Sequence, residues 1–419
     1  MSENQNVKPL NIVGQNEDKV DHRYVVILAG GHGTRLFPLS YYECPKQFVS
    51  VNGEGTLIQN TVERFKNFGI KARHIIIITT DDNQTKLAHE QVDDLGILSQ
   101  NVYQIKPTYG YAGAMVKAAR FVSKIDKDAI IINSPSDQLL KESQEFTDTL
   151  SLAIKSASHG TPTIIGVKIN DLVTFTGCGH AIYDPDDTSF CRVVKSFIEK
   201  PEIELADEMM RKDNSACNTG INVWRADTLF EAMSGIDIEE IEVKTDDFMD
   251  LLKDMGLRVA VGHFKWYDCG TLNSLYEVNR EKMTPNHHNI SFGNVIRHDC
   301  LDSYFYAGKG HRIRAYNVND GVAVIATFVN GKPVLMVCKR SDSQKVKKIA
   351  EDYQKHKGIL DEDFIFGSRN NHIVYTDASE ECVISFVGAD NYEVVVTKGT
   401  EPGIIYDWII SKPKPKEQK

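Results

Sequence analysis

Short apolar runs recur along much of the chain: YVVILA at 24–29, HIIIITT at 74–80, AIIIN at 129–133, TIIGV at 163–167 and GINVW at 220–224. Continuous runs of this length suit strands covered on both faces, where no alternation with polar residues is needed. Between them the period changes. Ile58, Val62 and Phe65 are spaced four and three apart, Met115, Ala118 and Val122 three and four apart, and Phe248, Leu251, Leu252 and Met255 repeat the pattern, which predicts amphipathic helices. Strands alternating with helices predict a doubly wound α/β sheet, in which ligands bind beyond the C-terminal ends of the strands. Candidate chemistry is therefore sought in the segment that follows each strand.

After about residue 285 the texture becomes short β-branched and aromatic runs broken by Gly and Asn, as in RIRAYNVNDGVAVIATFVNGKPVLMVCK at 312–339, and helix period returns only at KVKKIAEDY, 345–353. This predicts a C-terminal all-β domain over 286–411 behind an α/β domain over 23–285. A weak echo, an Asn and an acidic turn leading to VAVIAT or to YEVVVT, links Asn294–Thr327 with Asn371–Thr397 and suggests two stacked β units, the second from about 355. Residues 1–22 are polar and aperiodic and 412–419 alternate Lys and Pro, so both ends are expected to be loose tails.

Charge narrows the partners. With 48 Lys plus Arg against 58 Asp plus Glu the formal charge is -10, which argues against general binding to nucleic acid while leaving room for a local basic pocket. No run approaches the roughly 18 apolar residues of a spanning helix and the N-terminus lacks an apolar signal core, so a cytoplasmic protein with no membrane partner is expected. Eight cysteines without a CxxC pair signal neither a zinc site nor a disulfide framework.

The first strand runs into GGHGTRLFPLS at 30–40, and a glycine-rich strand exit lets backbone N–H groups approach a phosphate. It is neither a Walker A loop, since no Gly-Lys-Ser/Thr follows, nor a dinucleotide fingerprint, since Leu36 stands three after Gly33. Lys46 in CPKQF could add a second cation to Arg35. Asp137 in SPSDQ follows the run AIIIN and Asp268 sits in WYDCGT near the end of the α/β region, and two carboxylates at strand exits of one sheet suit a hard divalent ion held together with substrate phosphates. Glu199 and Lys200 in FIEKP and Asn218 in CNTGINVW offer a carboxylate and an amide for the hydroxyls of a polyol or sugar and a cation for its phosphate. Read singly, each of these is an ordinary solvated turn residue. Cys44, Cys217 and Cys269 lie within one or two residues of these positions, and Cys178 beside a further candidate, Gly179 of TGCGHAIYD, where simple packing competes with redox sensitivity.

Taken in order and at this separation, GGHGTRLFPLS, PKQF, SPSDQ, FIEKP, CNTGINVW and WYDCGT resemble the sugar-1-phosphate nucleotidyltransferase family. PKQF, together with NDGVAVIAT and SDSQKVKKIAEDY at 341–353, looks most like the mannose-1-phosphate guanylyltransferase branch. The resemblance implies a Rossmann-like domain with a mixed, mostly parallel sheet and a β-helix-like C-terminus. It implies that GTP and mannose 1-phosphate give GDP-mannose and pyrophosphate with Mg²⁺ as cofactor, and that a homo-oligomer is possible. Carried over by position, Arg35 and Lys46 would be catalytic; Leu28, Gly30, Gly31, Gly33, Thr34, Gln104 and Gly110 would hold the nucleotide; Gly179, Glu199, Lys200 and Asn218 would hold the sugar phosphate; Asp137 and Asp268 would bind the metal.

The sequence departs from that branch in QIKPTYGYAGAMVKAA at 104–119, which lacks the Gly-Arg-Asn or Gly-Arg-Asp usual at the base. Its Gly110-Tyr111-Ala112 is closer to thymidylyl and other nucleotidyltransferases. The same chemistry with dTTP, UTP or CTP and glucose 1-phosphate, or with GTP and a heptose 1-phosphate, therefore stays open, as does a catalytically silent nucleotide-sugar sensor. SPSDQ and WYDCGT also vary the branch pattern while keeping the acids, and no cupin-like His cluster follows residue 355.

Overall fold

The computed structural model describes residues 21–237, 243–319 and 321–355, together with the strand residues 366–368, 371–376, 382–387, 393–398 and 406–411. Most of both expected tails lies outside these residues. Asp21 and His22, at the inner end of the first, are already tied down, by Arg23 at 2.7 Å and by Asp126 at 2.8 Å.

The α/β part contains β1 (Arg23–Leu28), β2 (Ile75–Thr79), β3 (Val102–Gln104), β4 (Ile130–Pro135), β5 (Gln138–Leu140), β6 (Thr163–Val167), β7 (Gly179–Tyr183), β8 (Cys191–Glu199), β9 (Ser215–Arg225), β10 (Arg258–Gly262) and β11 (Trp266–Asp268). Nine of them form one sheet in the order β3-β2-β1-β4-β9-β6-β10-β8-β7, with β7 also touching β9. The apolar runs are buried on both faces, as expected. Tyr24 and Val26 enter one core with Met115, Val122 and Phe248, while Val25 and Ile27 enter the other with Ile58, Val62 and Phe65. A fully buried side chain of this size contributes about 1.5–3 kcal/mol, so an uninterrupted apolar run is favoured only where helices cover both faces.

The sheet is mixed, with seven of its nine strands running one way and β8 and β9 the other. Strand β9 runs back between β4 and β6, and β8 runs back beside β10, so parallel pairing is confined to β1–β2, β1–β4, β2–β3 and β6–β10. A buried apolar run carries no mark of strand direction, which is why GINVW did not reveal the reversal.

The C-terminal region contains β12 (Ile290–Phe292), β13 (Asn294–His298), β14 (Tyr304–Ala307), β15 (His311–Tyr316), β16 (Val322–Val329), β17 (Lys332–Lys339), β18 (Phe366–Ser368), β19 (Asn371–Thr376), β20 (Cys382–Val387), β21 (Glu393–Lys398) and β22 (Tyr406–Ser411). Successive strands β12 to β16 alternate between two sheets with parallel pairing, which is coil-like. The region is not all β, because the helix Ser343–Lys355 follows β17. The two halves of the echo also pair differently: β14 and β16 are parallel, whereas β19 and β20 form an antiparallel pair.

A third core ignores the expected boundary near residue 285. Leu36, Phe37, Leu39, Val49, Leu139, Cys269 and Leu272 share it with Tyr304, Ile325, Met336, Val346 and Ile349. No helix among the described residues is long and apolar enough to cross a membrane.

Candidate active site

The C-terminal ends of β3, β2, β1 and β4 form one rim, since Thr79 pairs with Gln104, and Leu28 with both Ile78 and Pro135. The glycine-rich segment leaves β1 at this rim and ends in a short 3-10 turn, Thr34–Leu36. Gln47 fastens it from below: its buried amide donates to the carbonyls of Ala29 at 2.7 Å and Gly31 at 3.1 Å. Ser40 Oγ donates to the Gly33 carbonyl at 2.5 Å. Gly33 adopts a φ of 60°, and a β-carbon there would overlap the Lys46 side chain. The glycine is thus required by the passing lysine stem as well as by any approach of a phosphate.

The Lys46 ammonium stands 3.0 Å from Asp137 Oδ2 and 3.7 Å from Asp268 Oδ1. A two-stranded ribbon brings the acids together. In it β5 pairs antiparallel with β11, placing Asp268 opposite Gln138, the neighbour of Asp137. The Gln138 side chain secures the ribbon, donating to the Thr219 carbonyl at 2.7 Å and accepting from Trp266 Nε1 at 2.5 Å. Ser136 Oγ ties the preceding turn to the Leu28 carbonyl at 2.6 Å, and Thr271 caps the helix Leu272–Val278 just beyond Asp268. Only 13% of the Lys46 side chain is exposed. Burial opposes its charge, but the two carboxylates outweigh that and hold its pKa above the usual lysine value. Arg35 is exposed and carries no ion pair among the described residues, so the structure leaves it open to an anionic ligand.

The other side of the rim is built by β7, β8 and β9. Gly179 pairs with Glu199, and a β-carbon on Gly179 would overlap the Glu199 carboxylate and the Phe197 ring. His180 pairs with Cys217, which makes Gly179 and Asn218 neighbours across β7 and β9. Asn218 Oδ1 accepts from the Gly220 amide at 3.0 Å. Lys200 has a φ of 46°, an unusual conformation for a lysine; its amide donates to the Cys178 carbonyl and its ammonium meets Glu199 at 2.9 Å. Gly220 joins the two sides: its φ is 75°, and a β-carbon there would overlap Pro135 at the end of β4.

The expected residues therefore fall along one rim in two groups. Leu28, Gly30, Gly31, Gly33, Thr34, Arg35, Lys46, Asp137 and Asp268 cluster around β1 and β4, and Gly179, Glu199, Lys200 and Asn218 around β7, β8 and β9. Gln104 lies at the β3 end of the rim, exposed, with Oε1 accepting from Thr85 Oγ1 at 3.2 Å. Gly110, with a φ of 57°, opens the helix Gly110–Ser123.

Sequence reasoning missed three supports. Gln47 stood in the quoted PKQF but only its lysine was weighed. The buried Tyr111 hydroxyl receives the amides of Asn133 at 2.9 Å and Asn222 at 2.6 Å, joining the base segment to β4 and β9. The wholly buried Arg64 donates to the Gln138 carbonyl at 3.3 Å beneath the acid pair, and burial pulls its pKa down to about 10, so it remains a cation at neutral pH.

The convergence of two carboxylates on one ammonium suits a divalent cation shared with a ligand's phosphates. The described group of three that could hold a metal, His22, Asp126 and Asp128, lies by the start of β1, at the opposite end from the rim. No disulfide joins the described cysteines. Burial pushes the Cys44 and Cys217 thiols up, and Cys269 to about 12, which suppresses the reactive thiolate and favours packing as their role.

The nucleotidyl transferase family matches residues 24–284, well over half of the chain. The chain belongs to this family. The transferase is 26% identical over 363 residues to mannose-1-phosphate guanylyltransferase 2 of Escherichia coli O157:H7, with 78% of this chain and 72% of that protein aligned. It is 26% identical over 356 residues to mannose-1-phosphate guanylyltransferase of Salmonella montevideo, covering 78% and 73% respectively. A crystal structure described as mannose-1-phosphate geranyltransferase from Thermus thermophilus shares the fold, with a TM-score of 0.63 at 21% identity over 80% of this transferase and all of that chain.

Proposed function

We propose that this nucleotidyl transferase joins GTP to mannose 1-phosphate, releasing pyrophosphate and GDP-mannose. The observation that carries the reading is the Lys46, Asp137 and Asp268 cluster, at the rim that also holds the glycine-rich strand exit and, on β7, β8 and β9, Gly179, Glu199 and Asn218. The names of the guanylyltransferase relatives supply the support for the substrate pair.

In this reading an oxygen of the sugar phosphate attacks the α-phosphorus and pyrophosphate leaves in line. A phosphate monoester is already a competent nucleophile near neutrality, so the site needs no strong base. The backbone of Gly30, Gly31, Gly33 and Thr34 approaches the triphosphate, while Arg35 and Lys46 neutralise charge on it. Leu28, Gln104 and Gly110 frame the base. Glu199 and Asn218 take sugar hydroxyls, Lys200 takes the sugar phosphate, and Gly179 gives the sugar a wall without a side chain. Mg²⁺ held by Asp137 and Asp268 would neutralise further phosphate charge. Positioning and charge neutralisation supply the rate.

One observation favours a second reading. The base segment lacks an arginine, and Tyr111 is committed to Asn133 and Asn222, so another base with the same chemistry, as in dTTP, UTP or CTP with glucose 1-phosphate, fits these residues too.

Pyrophosphate release over a matrix of nucleoside triphosphates and sugar 1-phosphates, with Mg²⁺ or EDTA and with Asp137→Asn, tests both. Turnover with GTP and mannose 1-phosphate, lost in both controls, is expected. Turnover with another pair alone would move the assignment to the second reading, and binding without turnover from any pair would make the protein a sensor.

A further inference from the structure

The helix Ser343–Lys355 lies outside the family match yet packs directly against the Thr34–Leu36 turn of the glycine-rich segment. Val346, Ile349, Ala350 and Tyr353 recur at three, one and three residues, a single helical stripe, and all four are buried. They share one core with Leu36 and Phe37, the two residues that follow Arg35. The rings of Phe37 and Tyr353 are 5.4 Å apart, tilted by 45°. Lys345, Lys348 and Glu351 on the same helix are exposed.

The 3-10 turn itself is weakly bonded, although Gln47 and Ser40 tie down the glycines that lead into it. Within it the hydrogen bonds from Leu36 N to Gly33 O and from Phe37 N to Thr34 O are each 3.3 Å long, beyond the usual range for strong N–H···O bonds, while Leu39 N and Ser40 N donate to the Leu36 carbonyl at 2.9 and 3.4 Å. Gly31 and Gly33 on its approach both have positive φ and add no side-chain contacts. Arg35 itself forms no ion pair among the described residues, so its placement follows that of the backbone between Gly33 and Phe37. A second contact from the C-terminal region lands further along the chain, between the turn and Lys46, where Asn330 Nδ2 donates to Glu43 Oε2 at 3.2 Å.

We propose that the Ser343–Lys355 helix is a positioning strut for the nucleotide loop: by fixing Leu36 and Phe37 through its apolar stripe, it fixes Arg35 and the glycine amides. The inference rests on the nucleotidyltransfer reading above and adds a working part to it. Val346, Ile349 and Tyr353 are positioning residues, since they touch the loop and not the substrates. The sugar-phosphate wall on β7, β8 and β9 has no share in this core, so the strut acts on one substrate and not the other.

The test uses the full chain with Tyr353→Ala, Ile349→Ala and Tyr353→Phe. Tyr353→Ala and Ile349→Ala are expected to lower kcat/KM for the nucleotide by roughly 10- to 100-fold, the scale set by small misplacements of catalytic groups. The KM for the sugar 1-phosphate stays within about twofold, because its wall is supported separately. Tyr353→Phe keeps the ring that meets Phe37 and is expected to recover most of the nucleotide kcat/KM lost in Tyr353→Ala. Amide exchange in residues 30–40 is expected to accelerate in the two alanine variants while β1 and β9 stay protected. An unchanged nucleotide KM with unchanged exchange in 30–40 would overturn the strut, as would equal damage to both substrates, or a Tyr353→Phe variant behaving like alanine. Should the wild type turn over no substrate pair, the functional reading fails, while exchange in 30–40 still decides the strut.

Discussion

The Gly30–Lys46 segment and the Gly179–Asn218 wall face the same rim, but different parts of the molecule support them. The wall is local: β7 and β8 form an antiparallel pair, β9 closes it, and Gly179, Glu199 and Asn218 are placed by ladder register alone. The cation side is assembled at long range. Lys46 meets acids 91 and 222 residues further along the chain, from a ribbon whose Leu139 and Cys269 sit in the core shared with the C-terminal region. A site built in this way separates two requirements. The proposed sugar wall is fixed by three adjoining strands, whereas the charge cluster depends on several segments being held together by a common core.

The comparison is broken most severely at Lys46. Replacing it with Ala removes the cation that Asp137 and Asp268 share, and loss of one fixed charge-stabilising group costs about 10²- to 10³-fold in kcat. The acids are 34% and 50% exposed and can recover solvent, so the melting temperature is expected to change little. Pyrophosphate release and thermal melting on the same preparation check both halves of the expectation. A kcat within threefold of wild type would remove Lys46 from the reacting phosphates.

Gly179→Ala probes the other side with a smaller effect. Its methyl group must displace the Glu199 carboxylate or the Phe197 ring, so the sugar 1-phosphate KM is expected to rise about tenfold, the effect of roughly 1.4 kcal/mol, with the nucleotide KM unchanged. If both KM values rose together, the two supports would not be independent.

How much of this could be read beforehand follows from how each feature is encoded. The runs in β1, β2, β4 and β6 were legible because a strand buried on both faces must be apolar throughout, and the helices because a one-sided stripe repeats every three or four residues. The reversal of β9 was not, because pairing partners and not composition set direction. Glycine at 30, 31 and 33 signalled a special backbone, but the reason for Gly33 needed Lys46 beside it. Tyr111, Asn133 and Asn222 meet from positions up to 111 residues apart, and each alone is an ordinary residue. Arg64 was hidden inside a regular amphipathic helix, where a cation is expected to face solvent; here it reaches under the acid ribbon instead. The stripe in KVKKIAEDY was visible as a helix, but nothing in its spacing said what it would cover.

The smallest effect is on stability, and it tests whether the shared core couples the C-terminal region to the cation side. His311 on β15 is buried with its ring edge-on to Phe328 at 4.4 Å, and burial holds its pKa down to about 4. Burial also lowers His74 and His180. A histidine depressed in the folded state binds protons more readily when unfolded, so its contribution is complete above the unfolded value near 6.5. The contribution is lost as pH falls from there toward the folded value. For His311 the difference between those values corresponds to about 3 kcal/mol at the acid end of the window. Melting curves between pH 7 and 4 should therefore show stability falling, and His311→Leu should flatten part of that fall while leaving the His74 and His180 contributions. If loosening of β15 is transmitted through the shared core, amide exchange in residues 30–40 should rise with acid before exchange in β9 does, and the His311→Leu variant should delay that rise. Loss of protection in both regions at the same pH would mean that the two sides of the rim yield as one unit.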